Sequence, residues 1–367
     1  MKKSLIALAA LAATSAAFAQ SSVTLFGALD AMVSRYSQNG AHKTLMSSSG
    51  NTSSAFGVRG VEDLGGGMYA GFWLEAAILN DTGLGNGTGG AVVFQRRSYL
   101  SLAGPFGQLR LGRDYTPSFW NHTVFDPFGT LGAAAGSNTT QGGGTNGAAG
   151  DNPATAARTN NGLSYLWGMG PNASSHIGTG VYAQLTYAFP ENISGTFAGG
   201  RYVGARLGYA AGPINVAIAA SRSNSTGTTV PTQFQYKNWG IGGSYDFGMA
   251  KLMGMYGINN SDLAGTKHTY WSIGATIPMV ADYIPVHYGS TKVNNAAGWR
   301  GNQFGLGYVH ALSKRTSLYA TYSHISNKNG GNFTFLGGNG GGNPGFAGTA
   351  AAAGSGTGID LGVKHSF

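Results

Sequence analysis

Beyond Gln20, apolar residues return at every second position in stretches of about ten, and sustained 3.6-residue spacing is absent. In 239–247, Trp239, Ile241, Tyr245 and Phe247 share one face of an extended chain; Gly240, Gly242, Ser244 and Asp246 share the other. Phe304, Leu306 and Tyr308 alternate with Gly305 and Gly307 in the same way. The final stretch sets Ile359, Leu361, Val363 and Phe367 against Asp360, Lys364 and Ser366, with His365 interrupting its apolar face. One face is apolar and aromatic; the other is small, polar or charged.

Sixteen such stretches are predicted, near 22–36, 52–62, 68–79, 92–103, 108–113, 158–168, 178–189, 200–211, 213–223, 235–248, 249–259, 268–278, 282–292, 301–312, 316–326 and 356–367. Tight turns at 63–67, 104–107, 211–213, 246–248 and 312–315 alternate with longer connections such as 38–51, 80–91, 223–234 and 327–355. An apolar sheet face must be covered. A soluble sandwich would need a second sheet that the pattern does not supply, and no propeller-type repeat occurs. Hydrocarbon can cover the face, provided the sheet closes on itself, because an open edge in lipid strands backbone N–H and C=O groups. The expected fold is therefore all-β: a sixteen-stranded antiparallel transmembrane barrel with short turns at one end and long loops at the other. A barrel of that size encloses water rather than packed side chains.

Composition agrees. Of 367 residues 63 are Gly, yet with 11 Pro and no three-residue glycine period the chain is not collagen-like. Charged residues make up 10%, against about 25% in soluble domains. Aromatic residues at 11% argue against disorder. Cysteine is absent, which excludes a disulfide scaffold and a thiolate-bound metal.

Residues 1–19 are a separate object. Met1-Lys2-Lys3 is basic, an apolar run begins at Leu5, and the segment closes on Ala17-Phe18-Ala19, a small-x-small cleavage pattern. Removal of this signal peptide is expected after Ala19, leaving 20–367 as the barrel. No later segment approaches the ~18 consecutive apolar residues of a membrane helix.

The connection 114–157 is too long for a hairpin loop. Its first half carries Tyr115, Pro117, Phe119, Trp120, Phe125, Pro127 and Phe128, too many large apolar groups for a solvated segment. It is expected to fold inward as a constriction loop; 136–150 is mainly Gly, Ala, Asn and Thr. Alternation also places cations inside. Arg59 shares a face with Ala55 and Gly57, Arg110 opposes Leu109 and Leu111, Arg158 opposes Leu163, Tyr165 and Trp167, and Arg206 opposes Leu207 and Tyr209. Arg96 and Arg97 are adjacent and so should point oppositely, which leaves their faces undecided. The acidic groups within reach are Glu75, inward with Trp73 and Tyr69, together with Asp114 and Asp126. Clustered cations in a narrow low-dielectric channel concentrate anions and oppose cations.

Several motifs resemble the Gram-negative trimeric general diffusion porins of β-proteobacterial and neisserial type. They are Ser21-Ser-Val-Thr-Leu-Phe-Gly27 with Asp30, Arg59-Gly-Val-Glu-Asp-Leu-Gly-Gly-Gly67, Gly71-Phe-Trp-Leu-Glu75 and Arg96-Arg97. Gly107-Gln-Leu-Arg-Leu-Gly-Arg-Asp114, Gly307-Tyr-Val-His-Ala-Leu-Ser-Lys-Arg-Thr316 and His365-Ser-Phe367 extend the likeness to the C terminus. The resemblance implies a homotrimer in the outer membrane that passes small hydrophilic solutes and ions passively, with the third loop at the constriction. It implies contact with outer-membrane lipid and lipopolysaccharide, and handling by the outer-membrane assembly machinery, which reads the terminal aromatic Phe367. Arg96, Arg158 and Glu75 match the family's lumen residues, so the resemblance turns Arg96 inward. Ala55 stands where anion-selective members carry an Arg, so the implied anion preference is weak.

Other functions fit poorly. Thirteen acidic residues and eight scattered histidines form no H-E-x-x-H, and no Gly-Lys phosphate loop exists. No enzyme and no cofactor are expected. The formal charge of +9 is accounted for by lumen arginines and the leader lysines without nucleic acid. A substrate-specific porin for a sugar or anionic solute is the alternative reading.

Overall fold

The computed structural model describes residues 22–140, 157–170, 177–191, 199–226, 233–262, 266–294, 297–335 and 354–367. The leader and the 141–156 part of the third loop lie outside them. Among the described residues eighteen strands form in chain order: β1 (Ser22–Gln38), β2 (Ala41–Ser48), β3 (Ala55–Gly65), β4 (Met68–Leu79), β5 (Leu84–Gly85), β6 (Arg97–Gly104), β7 (Gly107–Tyr115), β8 (Arg158–Trp167) and β9 (Gly180–Ala188). There follow β10 (Tyr202–Ala211), β11 (Ile214–Thr226), β12 (Gln233–Asp246), β13 (Lys251–Ser261), β14 (Thr266–Pro278), β15 (Asp282–Val293), β16 (Arg300–Ala311), β17 (Thr316–Lys328) and β18 (Gly356–Ser366).

These strands build sixteen staves. β2 and β3 lie end to end along β1, β2 against its second half (Ala31↔Ser48 to Gln38↔Ala41) and β3 against its first (Ser22↔Val61 to Ala28↔Ala55). They are two halves of one stave. β5 is a two-residue pairing on β4 and adds no stave. Each stave is antiparallel to the next, and β18 returns to β1 from Ala28↔Ser366 to Gln38↔Gly356. The sheet is closed, so it has no free edge.

The interrupted stave departs from expectation: residues 41–48 fall within a connection read as a loop. Ala41-His-Lys-Thr-Leu-Met-Ser-Ser48 has no apolar alternation to reveal it. The break at 49–54 is tied to the wall by Asp30, whose Oδ2 accepts the Asn51 and Thr52 N–H groups at 2.8 and 2.6 Å. Tyr319 Oη donates to the other oxygen of Asp30 at 2.5 Å.

Along most staves the alternation is realised as read. Ile241, Leu207, Ile273 and Leu361 are each at least half exposed on the outer face, while their strand neighbours Gly240, Arg206, Ser272 and Asp360 are buried inside. Outward aromatics form two girdles. Trp239, Tyr256, Trp271, Tyr288, Phe304 and Tyr322 run along β12–β17 toward the long-loop end; Tyr209, Tyr245 and Tyr308 lie toward the short turns. An apolar band between aromatic girdles is the signature of a barrel seated in a bilayer.

Candidate functional site

After β7 the chain turns into the barrel. Thr116 caps helix α1 (Pro117–Val124): its Oγ1 accepts the Phe119 N–H at 3.2 Å, and Pro117 occupies the first turn, where no N–H is needed. Asn121 Nδ2 donates to Gly240 O at 3.1 Å, and Ser118 Oγ donates to Ser221 Oγ at 3.0 Å. Arg206 bonds Tyr182 Oη at 3.2 Å and Asn121 Oδ1 at 3.4 Å, fixing α1 to β9 and β10.

The loop then crosses the interior on a row of glycines. Phe125 lies over Gly242 of β12, Pro127 over Gly274 of β14 and Ala134 over Gly305 of β16. A Cβ at these positions would sit 2.1, 2.5 and 2.5 Å from those side chains, so any larger residue would lift the loop. At the far wall, Ala133 N–H donates to Asp360 Oδ2 at 2.7 Å and Gln303 Nε2 donates to Ala133 O at 3.0 Å. Helix α2 (Ser137–Thr140) is buried, with Asn259 Nδ2 on Thr140 O at 2.8 Å.

Asp126 organises this loop. Its carboxylate accepts the N–H groups of Phe128, Thr130 and Gly136 at 3.0, 3.1 and 2.9 Å. Its titratable neighbours are His122 and His287. The sequence counted it among the acidic groups within reach of the arginines; in the fold its oxygens serve its own turn. His122 meets Thr140 through Nε2, and burial pushes its pKa down to about 4.

The opposite wall, β4 with β6–β8, gathers the charges. Glu75 Oε1 accepts Arg96 Nε at 2.5 Å and Glu75 Oε2 accepts Trp73 Nε1 at 2.9 Å. Asp114 takes Arg110 Nη1 at 2.7 Å and Arg97 Nε at 3.4 Å. Arg110 also reaches Gln108 Oε1 at 3.0 Å. Tyr115 joins the groups: its hydroxyl accepts Arg96 Nη2 at 2.7 Å and Arg158 Nη2 at 2.6 Å. Its ring stacks on Phe119 at 5.0 Å and lies 4.3 and 4.9 Å from the guanidinium carbons of Arg158 and Arg97. Trp73 stands between Arg97 at 4.7 Å and Arg59 at 5.0 Å. Low dielectric strengthens each of these interactions.

Strict alternation erred at two places. Arg96 and Arg97 do not oppose one another; both are buried. β6 begins only at Arg97, and Arg96 sits in a bend held by its N–H on Glu75 O at 3.1 Å, free of the strand's two-residue rule. In β8 both Asn160 and Asn161 are exposed, with Asn161 at φ 53, and β7 shifts register between Gly112 and Asp114. Thr159 therefore takes the inward place, and Arg158, half-buried, reaches Tyr115 by its length. The sequence named Tyr115 only among the loop aromatics and left the face of Arg97 undecided. The register Glu75↔Arg97 decides that face, since Glu75 was read as inward.

A family model described as Gram-negative porin matches residues 6–330. This chain belongs to that family. The porin is 37% identical over the full length of both chains to outer membrane porin protein 32 of Delftia acidovorans. It is 40% identical to the major outer membrane protein P.IB of Neisseria meningitidis over 122 residues, 31% of this chain and 34% of that one. Its structure superposes on an anion-selective porin from Comamonas acidovorans with a TM-score of 0.80 and 33% identity, covering 95% of this chain and 100% of the other. OmpT of Vibrio cholerae shares the fold, with a TM-score of 0.65 at 16% identity. The porin is thus an outer-membrane β-barrel, and its family and fold are those of a diffusion channel rather than of an enzyme.

Proposed function

We propose that this porin is a general diffusion channel with weak anion preference, working as a homotrimer. The observation that carries the reading is the wall of Arg96, Arg97, Arg110 and Arg158 set, among the described residues, against Glu75 and Asp114. That excess of guanidinium charge faces a loop pinned across the barrel, where field lines focus and anions are favoured. The anion selectivity of the Comamonas acidovorans relative supports the sign. Arg59, joined to the cluster through Trp73, adds a fifth cation, and the missing arginine at Ala55 keeps the preference weak. Tyr115, Phe119 and Trp120 pack on one another, and Tyr115 and Trp120 also on Arg97, which favours a general channel over a sugar-specific one.

Two further roles belong to the same reading. Residues 1–19 direct export. Phe367 marks the C terminus for the assembly machinery, with its N–H on Gly27 O at 3.0 Å and its ring against Gly27. Outer-membrane lipid and lipopolysaccharide surround the trimer. The test is liposome swelling with neutral sugars of increasing size. A general channel passes them at rates that fall smoothly with size; saturation by one sugar at low concentration would favour a specific porin instead.

A further inference from the structure

Four arginines of the charged wall have committed donors. Arg96 is tied to Glu75 and Tyr115, Arg97 and Arg110 to Asp114, and Arg158 to Tyr115. Arg59 differs. Among the described residues it forms neither a hydrogen bond nor an ion pair, and it is half-buried rather than enclosed. Two rings hold it instead. Its guanidinium carbon lies 5.0 Å from the centre of Trp73 and 5.1 Å from that of Phe26, and these rings meet edge-on at 4.9 Å.

The local sequence builds this seat. Alternation along β3 puts Ala55, Gly57 and Arg59 on the lumen face. Phe26 of β1 pairs with Gly57, and a Cβ on Gly57 would come within 2.4 Å of its ring. Glycine there lets the ring lie across β3 and reach the next inward residue, Arg59. Trp73 pairs with Arg59 from the other neighbouring strand, and its Nε1 is anchored on Glu75 at 2.9 Å. The rings attract the cation through their π faces without spending its N–H groups. Those groups lie in the guanidinium plane as a fork and are left for a solute. Arg59 also stands two residues along β3 from the Gly57↔Glu75 pair, about 7 Å nearer the short-turn end. A solute there meets a cation whose donors no carboxylate of the wall has taken.

We propose that Arg59 is a specificity-determining contact of the channel, a subsite on the short-turn side of Glu75 for solutes that carry a carboxylate. The proposal rests on the anion-preferring reading and names the solute class it favours. A carboxylate takes two parallel N–H···O bonds from the edge of a guanidinium, which a halide ion cannot do. The ion-paired arginines set a potential that every anion feels. Arg59 ranks one anion against another. A lysine in its place would keep the charge and lose the fork.

The test is the acetate-to-chloride permeability ratio of the parent porin, R59K and R59Q. It is read from the zero-current potential of a planar bilayer with potassium acetate on one side and KCl on the other. The parent ratio is expected to exceed the ratio of the two ions' mobilities in water. Both variants should bring it down, on the order of fivefold, for one net hydrogen bond lost in a wet channel. R59K carries the decision, because it retains the charge. An R59K ratio equal to the parent's would reduce Arg59 to a charge, and a parent ratio at the mobility value would remove the subsite; either result overturns the proposal. The parent's zero-current potential in a KCl gradient, measured in the same bilayers, separates the two readings. Potassium sign there defeats the anion preference itself, whereas chloride sign with an unmoved R59K ratio defeats this proposal alone. Arg59 holds no hydrogen bond of the fold, so both variants are expected to assemble, which the β-sheet signal in circular dichroism checks.

Discussion

Arg158 donates from Nη2 to the Tyr115 hydroxyl at 2.6 Å while its guanidinium carbon lies 4.3 Å from the centre of the same ring. A residue on β8 and a residue at the end of β7 thereby fix the direction of the least buried cation in the arginine wall. Because Tyr115 also stacks on Phe119, the first turn of the inward loop and the charge pattern of the wall are set by one side chain.

Tyr115→Phe tests that coupling. It keeps the stacking and removes the acceptor shared by Arg96 and Arg158, leaving charged donors unsatisfied at a cost of about 1–3 kcal/mol. Lower resistance to urea unfolding and noisier open-channel current are expected. A variant with wild-type stability and current would show that the hydroxyl does not hold the arginines.

Arg96→Glu reverses a charge beside Glu75. The reversal potential in a salt gradient should move toward cations. An unchanged potential would place Arg96 outside the pathway that ions sample.

The strands were legible because lipid on one side and water on the other write a two-residue period, as in 239–247. The inward arginines were legible where that period runs unbroken, at Arg59, Arg110 and Arg206. Where a bend precedes the strand, at Arg96, or a bulge interrupts it, at Asn160–Asn161, parity no longer reports the face. The glycines Gly242, Gly274 and Gly305 looked like a merely small lumen face. Their work as a seat for Phe125, Pro127 and Ala134 depends on contacts across more than a hundred residues, which no local pattern contains. Asp126 looked like a channel carboxylate because a loop turn that wraps its own backbone around a carboxylate leaves no periodic mark in the sequence.

Gly242→Val follows from the seat. Its side chain would collide with Phe125, and overpacking of this kind costs about 1–3 kcal/mol. The loop should lift from β12, changing single-channel conductance while the barrel keeps its β-sheet signal in circular dichroism. Unaltered conductance would mean that the loop is not held there.

His122 gives the loop a pH dependence. Its pKa falls from 6.5 to about 4 because burial penalises the charged form. A lowered histidine pKa means that the released loop binds a proton that the packed loop does not. Loop packing is therefore fully stable above about pH 6.5 and weakens as pH drops toward 4. Open-channel noise should rise across that window, and His122→Gln should flatten the rise. Noise that grows equally in the variant would assign it to other groups.

The central claim, a closed water-filled barrel whose arginine wall favours anions, is tested most directly by the zero-current potential of wild-type porin in a planar bilayer under a tenfold KCl gradient. The account predicts a steady ionic current and a modest potential of the sign set by chloride crossing faster than potassium. A potential of potassium sign, or a bilayer that never conducts, would contradict it.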